Sequence, residues 1–457
     1  MSTLNKITVT NSSNLDPKNY TVWVAGFIQQ MKTVTLPKTK KQEQVPTYMA
    51  LQSDGSFLLS SSETAAFMKI DNGMVVHVPD VTNYGNNRLV FTVTAVGSKA
   101  PTALSPITGY TAYPFPGIPG VAPSGPYDIF EFGPNAQYDT SAVDSLGINL
   151  SFTVKNDALT YGTVTAFTRA EIGASFQSFM ASDPLGSNGF AQLLYTNPTT
   201  DDYPDVIKGQ FSAIVAPKDW LAIYPSATGL KGFWTDTVDA CFTKGNQLNF
   251  YLNAANVGTY SGTSDGTKFT LTGPASAKVA DQITYSIPKS DFAKNQGFIQ
   301  AVRAKSANET AEEYGTFGQI EAALFEALSR GVLLDGVVPK GKTIADNYSS
   351  DAWIKISNWY TTHKNAYNSV DSKYDAYAKF MHHGTVTPKN GKPETIFGLN
   401  KGKTFGMAYG FSLDESPNVS QNWNADNNVP SKPEYNIGSG QDVALVIGPW
   451  IPAVKLI

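Results

Sequence analysis

In the stretch YDIFEFGPNAQYDTSAVD, two carboxylates stand where a short hairpin would bring them together. Glu131 ends one run of strand-forming residues, a turn is expected at Gly133–Asn135, and Asp144 lies on the run that follows. If the two runs pair, the carboxylates converge. A protonated carboxyl that donates to a leaving oxygen, opposite an ionised one that activates water or attacks directly, is what breaking a glycosidic bond requires. Their separation would set the stereochemical course, and spacing along a chain does not give it.

Asp144 is the odd residue of its row. Over 141–154, Ala142, Leu146, Ile148, Leu150, Phe152 and Val154 alternate with mostly small or polar partners, which predicts one strand with an apolar face broken by Asp144 alone. A carboxyl in such a row is partly desolvated and needs a reason to be there. Either it works on a ligand, or it bonds nearby backbone amides at a strand end. Glu131 taken alone reads more readily as a solvated charge on an edge strand, and only the pair makes it a candidate. Asp139 is a third acid at the same cleft, or the start of an Asp-Thr-Ser turn.

Other chemistry is thin. His77, His363, His382 and His383 show neither metal-ligand spacing nor an evident nucleophile partner, and His382 and His383 read as the end of a helix. Cys241 stands alone, so an intrachain disulfide or a multi-Cys metal site is excluded, and no cofactor is expected. Gly336–Thr343 matches the phosphate-cradling pattern GxxxxGK[ST], but the turn-forming residues after it predict no helix to carry a phosphate, so it reads as a lysine-bearing surface turn. The seven tryptophans and many of the tyrosines are candidate sugar-stacking platforms, most of the tryptophans expected in the core or at its rim.

The elements that must position Glu131 and Asp144 are mainly strands. Few charges (16%) with many glycines, prolines and aromatics describe turns between aromatic-bearing strands. Ile7–Thr10 and Thr21–Phe27 look like a hairpin or meander, and further strands are expected at 48–51, 57–59, 65–70, 74–78 and 88–96, as in a sandwich or barrel. The proline-rich 97–126 predicts a long ordered surface loop. Helical spacing from Phe317 to Leu328, stopped at Gly331, predicts an amphipathic helix, and a second is expected over roughly 369–382, ended by Gly384. Strand-like composition returns at 405–413 and 442–447. The chain is thus expected to hold a β domain over 1–230, completed by 400–457, with a mixed α/β domain inserted over 231–399. The net charge of -4 gives no reason to expect nucleic acid. With no apolar run of membrane-spanning length and no leader pattern at the N-terminus, a soluble chain without membrane partner is expected.

These residues resemble a known superfamily. NKITVTNSSNLDPKNYTVWVAGF looks like the opening strands of thaumatin-like proteins, and YDIFEFGPNAQYDTSAVDSLGINLSF like their central acidic stretch. FWTDTVDACF, IEAALFEALSRGVLL, YDAYAKFMHHG and AYGFSLDE narrow the likeness to glycoside hydrolase family 64 β-1,3-glucanases. The resemblance implies a thaumatin-like β-sandwich or barrel and a mixed α/β domain flanking a wide groove. It further implies that β-1,3-glucan binds there and is hydrolysed with inversion, by a monomer that is typically extracellular. It assigns Glu131 as general acid and Asp144 as general base, and places Asn135, Tyr138, Asp139 and Ser141 in the sugar-contacting stretch. Since such scaffolds also host non-enzymes, a silent glycan-binding or structural protein is the alternative.

Overall fold

Short strand-forming runs cut by turns fold as expected into a mainly β chain, seen in a computed structural model. It describes residues 3–104, 126–196, 211–252, 258–273, 284–298, 310–342, 358–396, 435–436 and 440–451, with short breaks within them, among them 134–136 and 143. The N-terminal strands are β1 (Thr3–Asn11), β2 (Tyr20–Thr35), β3 (Gln42–Leu51), β4 (Phe57–Leu59), β5 (Met68–Lys69), β6 (Gly73–Pro79) and β7 (Tyr84–Ala95). Next come β8 (Tyr127–Glu131), β9 (Gln137–Ser141), β10 (Ser145–Leu146), β11 (Leu150–Val154) and β12 (Thr160–Gly162). A mixed stretch follows: α1 (Arg169–Ser182), β13 (Leu194–Tyr195), β14 (Ala213–Val215), α2 (Pro217–Ile223) and α3 (Thr235–Cys241). Beyond it lie β15 (Gln247–Leu252), β16 (Gly258–Ser264), β17 (Lys268–Thr272), β18 (Thr284–Pro288), α4 (Ala311–Arg330), β19 (Val337–Val338) and α5 (Ala376–His383). The last are β20 (Thr385–Val386), β21 (Glu394–Thr395), β22 (Tyr435–Asn436) and β23 (Val443–Ile447).

Two sheets share one interior. One has the order β12-β11-β23-β1-β6, the other β22-β9-β8-β7-β2-β3-β4 with β5 on β2. Ile7, Val9, Phe152 and Leu445 of the first meet Val24, Met49, Phe91 and Phe130 of the second, each no more than 2% exposed. Burial of each such side chain stabilises by roughly 1.5–3 kcal/mol. β1 and β2 are therefore not a hairpin. β1 pairs with β6 and β23, while β2 pairs with β3 and β7, because the chain between them crosses from one sheet to the other to close the apolar faces on each other.

The single strand expected over 141–154 is broken into β9, β10 and β11. Its kink has a local cause at Gly147, where a Cβ would lie 2.2 Å from the Tyr127 carbonyl oxygen. The amides of Gly147 and Ile148 donate to the Asp128 carboxylate at 3.1 and 3.2 Å. The apolar parity survives because the stretch links two cores: Ala142 and Leu146 belong to the second, and Ile148 to Val154 to the sandwich.

The second core gathers α1, α4, α5 and the antiparallel sheet β18-β17-β16-β15-β19. The expected helix from Phe317 begins earlier, at Ala311, where Thr310 and Glu313 form a capping box, and it stops where expected, at Gly331, which takes a left-handed φ of 82°. Its charged residues do not all face water: Glu321, Glu326 and Arg330 are fully buried, Arg330 pairing with Glu326 and lying 3.6 Å from the Trp359 ring centroid. The second expected helix is shorter than predicted, because Asp375 caps α5 by accepting from the amides of Tyr377 and Ala378. Lys340 and Gly341 form the exposed turn expected after Gly336, whereas the segments 105–125 and 405–413 lie outside the described residues. Among the described residues no helix is long and apolar enough to cross a membrane.

Candidate active site

Strand register decides what β8 and β9 present. Glu131 stands opposite Arg88 of β7 on one side and Asp139 of β9 on the other, which puts all three side chains on one face. By alternation Phe130, Phe132 and Tyr138 point the other way, into the sandwich, where their rings pack 5.9 to 6.1 Å apart. Arg88 and Glu131 form an ion pair with side chains 18% and 20% exposed. Asp139 is 4% exposed.

Asp144 sits in the turn between β9 and β10, held by three elements. β10 pairs with β14, and the Asp144 carbonyl accepts from the Ala216 amide at 2.8 Å, just where α2 begins. From the other core, the Tyr377 hydroxyl of α5 donates to the Ala142 carbonyl at 2.6 Å. Pro217 at the first helical position then starts α2 and carries the next two side chains to Asp144. The Lys218 ammonium bonds Asp144 Oδ1 and also, at 2.7 Å, Asp219 Oδ2. Lys218 thereby bridges the two aspartates.

These groups form one electrostatic system. Burial raises the Glu131 carboxyl above the usual glutamate range; Arg88 pulls it down, and the Asp144 charge pushes it up. Burial likewise pushes Asp219 up to about 7 against the pull of Lys218. Burial works against the Lys218 charge, but the two aspartates outweigh it and its pKa is raised. Tyr127, bonded to Ser145, is raised by burial first and then by Asp144 and Asp219. A protonated and an ionised carboxyl can therefore coexist here at mildly acidic pH.

The same short helix carries an aromatic shelf. The rings of Trp220 and Tyr224 lie 4.7 Å apart, and Tyr195 meets Trp220 at 6.3 Å. Trp220 is locked by its indole N–H donating to Gln192 Oε1 at 3.1 Å, while Tyr224 is 41% exposed. A partly exposed ring on the helix that carries Lys218 and Asp219 suits a sugar's apolar face.

The model of the β-1,3-glucanase family, glycoside hydrolase family 64, matches residues 124–385, more than half of the chain. The chain belongs to this family of glycoside hydrolases. No curated protein matches it. The matched span of this family 64 glucanase holds Glu131, Asp139, Asp144 and α2, whereas β1 to β7, Arg88 included, lie before it.

Of the residues singled out in the glucanase sequence, the fold brings Glu131, Asp139 and Asp144 together. Tyr138 is not brought to them: it is 0% exposed and faces the sandwich core, since neighbours on a strand take opposite faces. Ser141 pairs with Ile129 in the β8–β9 ladder, and Asn135 is outside the described residues. Arg88, Lys218 and Asp219 were missed by sequence reasoning. Asp219 had a faint signal, an acid just after Ala-Pro at a helix start; Arg88 had none, because only register sets it beside Glu131. Among the described tryptophans, Trp234, Trp359 and Trp450 are core residues, and Trp220 stands on α2, the helix whose Lys218 bonds Asp144.

One further constellation escaped the sequence. His363 Nε2 lies 2.8 Å from Asp335 Oδ1, and His363 Nδ1 lies 3.0 Å from Ser372 Oγ. Ser372 is no nucleophile, being 3% exposed with its hydroxyl donating to the Thr361 carbonyl and accepting from the His363 amide. It clips a loop.

Proposed function

We propose that this glucanase hydrolyses a linear, laminarin-type β-1,3-glucan with inversion, Glu131 acting as general acid and Asp144 as general base. The observation that carries the reading is a pair of partly exposed carboxyls, each held by a cation, Glu131 by Arg88 and Asp144 by Lys218, with the charge of Asp144 among the influences that raise Glu131 and the Trp220–Tyr224 ring pair on the helix that carries Lys218. Glu131 protonates the leaving oxygen. Asp144 takes a proton from water as that water's oxygen bonds the anomeric carbon from the opposite side. Asp139, Ser141 and Asn135 contact the sugar around the cleavage point. The proposal includes a thaumatin-like β unit over 1–230, completed by 400–457, and an inserted unit over 231–399, flanking a groove in a protein that acts as a monomer. Separate sandwich and helical cores support two units, with α1 and α2 packing on the helical side.

Proton NMR of the first product released from laminarin tests the mechanism. An initial α-anomer is expected, and an initial β-anomer overturns inversion. Glu131→Gln and Asp144→Asn should each cut kcat by about 10²–10⁴ while keeping glucan binding. Near wild-type turnover in either variant removes that residue from the role given to it.

A further inference from the structure

A buried N–H that finds no acceptor in its own fold marks a place where one can come from outside. Trp234 has such a group. It caps the start of α3 at 2% exposure, and among the described residues nothing accepts from its indole Nε1. The ring edge that holds the N–H faces the helical turn Lys289–Gly297, since a Cβ on Gly297 would lie 2.7 Å from Trp234 Cδ1, the carbon bonded to Nε1. Trp234, that turn and the turn between β16 and β17 line one cavity of about 690 Å³, a size typical of small-molecule sites. Its lining is graded: Trp234, Val238 and Phe292 are buried, whereas Asp239, Lys268 and Ala293 are exposed. Gln296 steadies the wall, its side chain accepting from the Gly232 amide at 3.1 Å while its backbone takes a left-handed φ of 57°. None of the residues of the carboxylate site lines this cavity.

We propose that this cavity is a second binding site, for a small and largely apolar aromatic molecule whose one acceptor oxygen takes the Trp234 N–H. The ligand differs in chemistry from a glucan. A sugar ring would bring hydroxyls against Val238, Phe292 and Pro288, whose side chains offer them no partner, and the buried rings of Trp234 and Phe292 show it no open face to stack on. A flat apolar body loses nothing against those side chains, and a carbonyl oxygen on it satisfies the indole donor. The lining charges do not compete for that oxygen at depth, because Lys289 is engaged with Asp239 at 2.7 Å and Lys268 is exposed.

Acetophenone, an aromatic ring with one carbonyl oxygen, is the probe, and ethylbenzene, of the same shape without the acceptor, is its comparator. In ¹H–¹⁵N spectra of the full chain labelled at tryptophan, the indole cross-peak that disappears in Trp234→Phe belongs to Trp234. Acetophenone should shift that peak saturably with a Kd below about 1 mM, and bind at least about fivefold more tightly than ethylbenzene. Ala293→Trp sets a large side chain on the exposed part of the lining and should weaken acetophenone by about tenfold or more. The rise in melting temperature that acetophenone gives the wild type should be lost in Ala293→Trp, a readout that holds even if Trp234→Phe fails to fold. A Trp234 peak unmoved by acetophenone, equal affinity for ethylbenzene, or undiminished binding and stabilisation in Ala293→Trp overturns the inference. Laminaritriose serves as the sugar arm: a saturable shift of the Trp234 peak by it, with none from acetophenone, overturns the ligand class and makes the cavity a glucan site.

Discussion

Arg88 and Glu131 stand opposite one another on β7 and β8 and join as an ion pair, so the proposed acid is held by a cation across a ladder formed far from it in sequence. Arg88 works against the two influences that raise Glu131, burial and Asp144. In Arg88→Met the Glu131 carboxyl should climb further, and the alkaline limb of kcat/KM should move up by about one pH unit. Stability has a definite sign. A carboxyl raised in the fold contributes most below its unfolded value and loses that contribution as pH rises through the folded value, so the variant should be penalised more at pH 7 than at pH 4.5. Thermal melts at the two values and a pH–rate profile check both; an unshifted limb would show that Arg88 does not tune Glu131.

Tyr377 ties the helical core to the Asp144 turn through a fully buried hydroxyl that donates to the Ala142 carbonyl. Tyr377→Phe leaves that carbonyl without its donor, at a cost of about 1–3 kcal/mol. The larger consequence is expected in kcat, which should fall several-fold with little change in KM, because the turn loses one of its anchors. Urea unfolding and steady-state kinetics measure the two effects, and a variant equal to wild type in both would mean that β10 and Ala216 suffice.

The sequence made the strand ending in Glu131 and the apolar row broken by Asp144 legible because each rests on local pattern, strand-forming residues and an apolar row of period two, while most of the turn expected at Gly133–Asn135 lies outside the described residues. The same pattern misled where packing overrode it. Residues 141–154 keep their parity yet break as a strand, since Gly147 must pass against Tyr127 and Asp128 takes the amides of Gly147 and Ile148. Arg88 and Lys218 are set beside their carboxylates by register and by the β10–β14 pairing, neither of which has a local signature. Charges inside α4 were likewise hidden, because an i,i+4 Glu–Arg pair reads the same on a wet face as in a core. The family resemblance supplied the substrate, which no spacing could.

Gly147 tests that account of the kink. With 2.2 Å between an added Cβ and the Tyr127 carbonyl oxygen, Gly147→Ala must shift β8 against the turn, and more than about 2 kcal/mol of stability should be lost. Because Tyr127 begins the strand that ends in Glu131, activity in whatever folded fraction remains should fall as well. Denaturant unfolding together with activity normalised to folded protein separates the two; a stable Gly147→Ala would contradict the close approach.

His363 offers a pH effect remote in sequence from the carboxylates. Its bond to Asp335 raises its pKa above 6.5, with burial pulling the other way. A raised histidine contributes its full stability below the unfolded value and loses it as pH rises through the folded value, so the window opens at about 6.5 and extends upward. The imidazole is about a third open to solvent, which limits the effect to about 1 kcal/mol or less. His363→Gln removes the titrating ring while leaving the Ser372 clip to Thr361. Wild type should therefore exceed the variant in unfolding free energy by more at pH 5.5 than at pH 9, with turnover on laminarin the same in both. A stability difference that stays constant over that range would rule out a charged His363–Asp335 pair as its source.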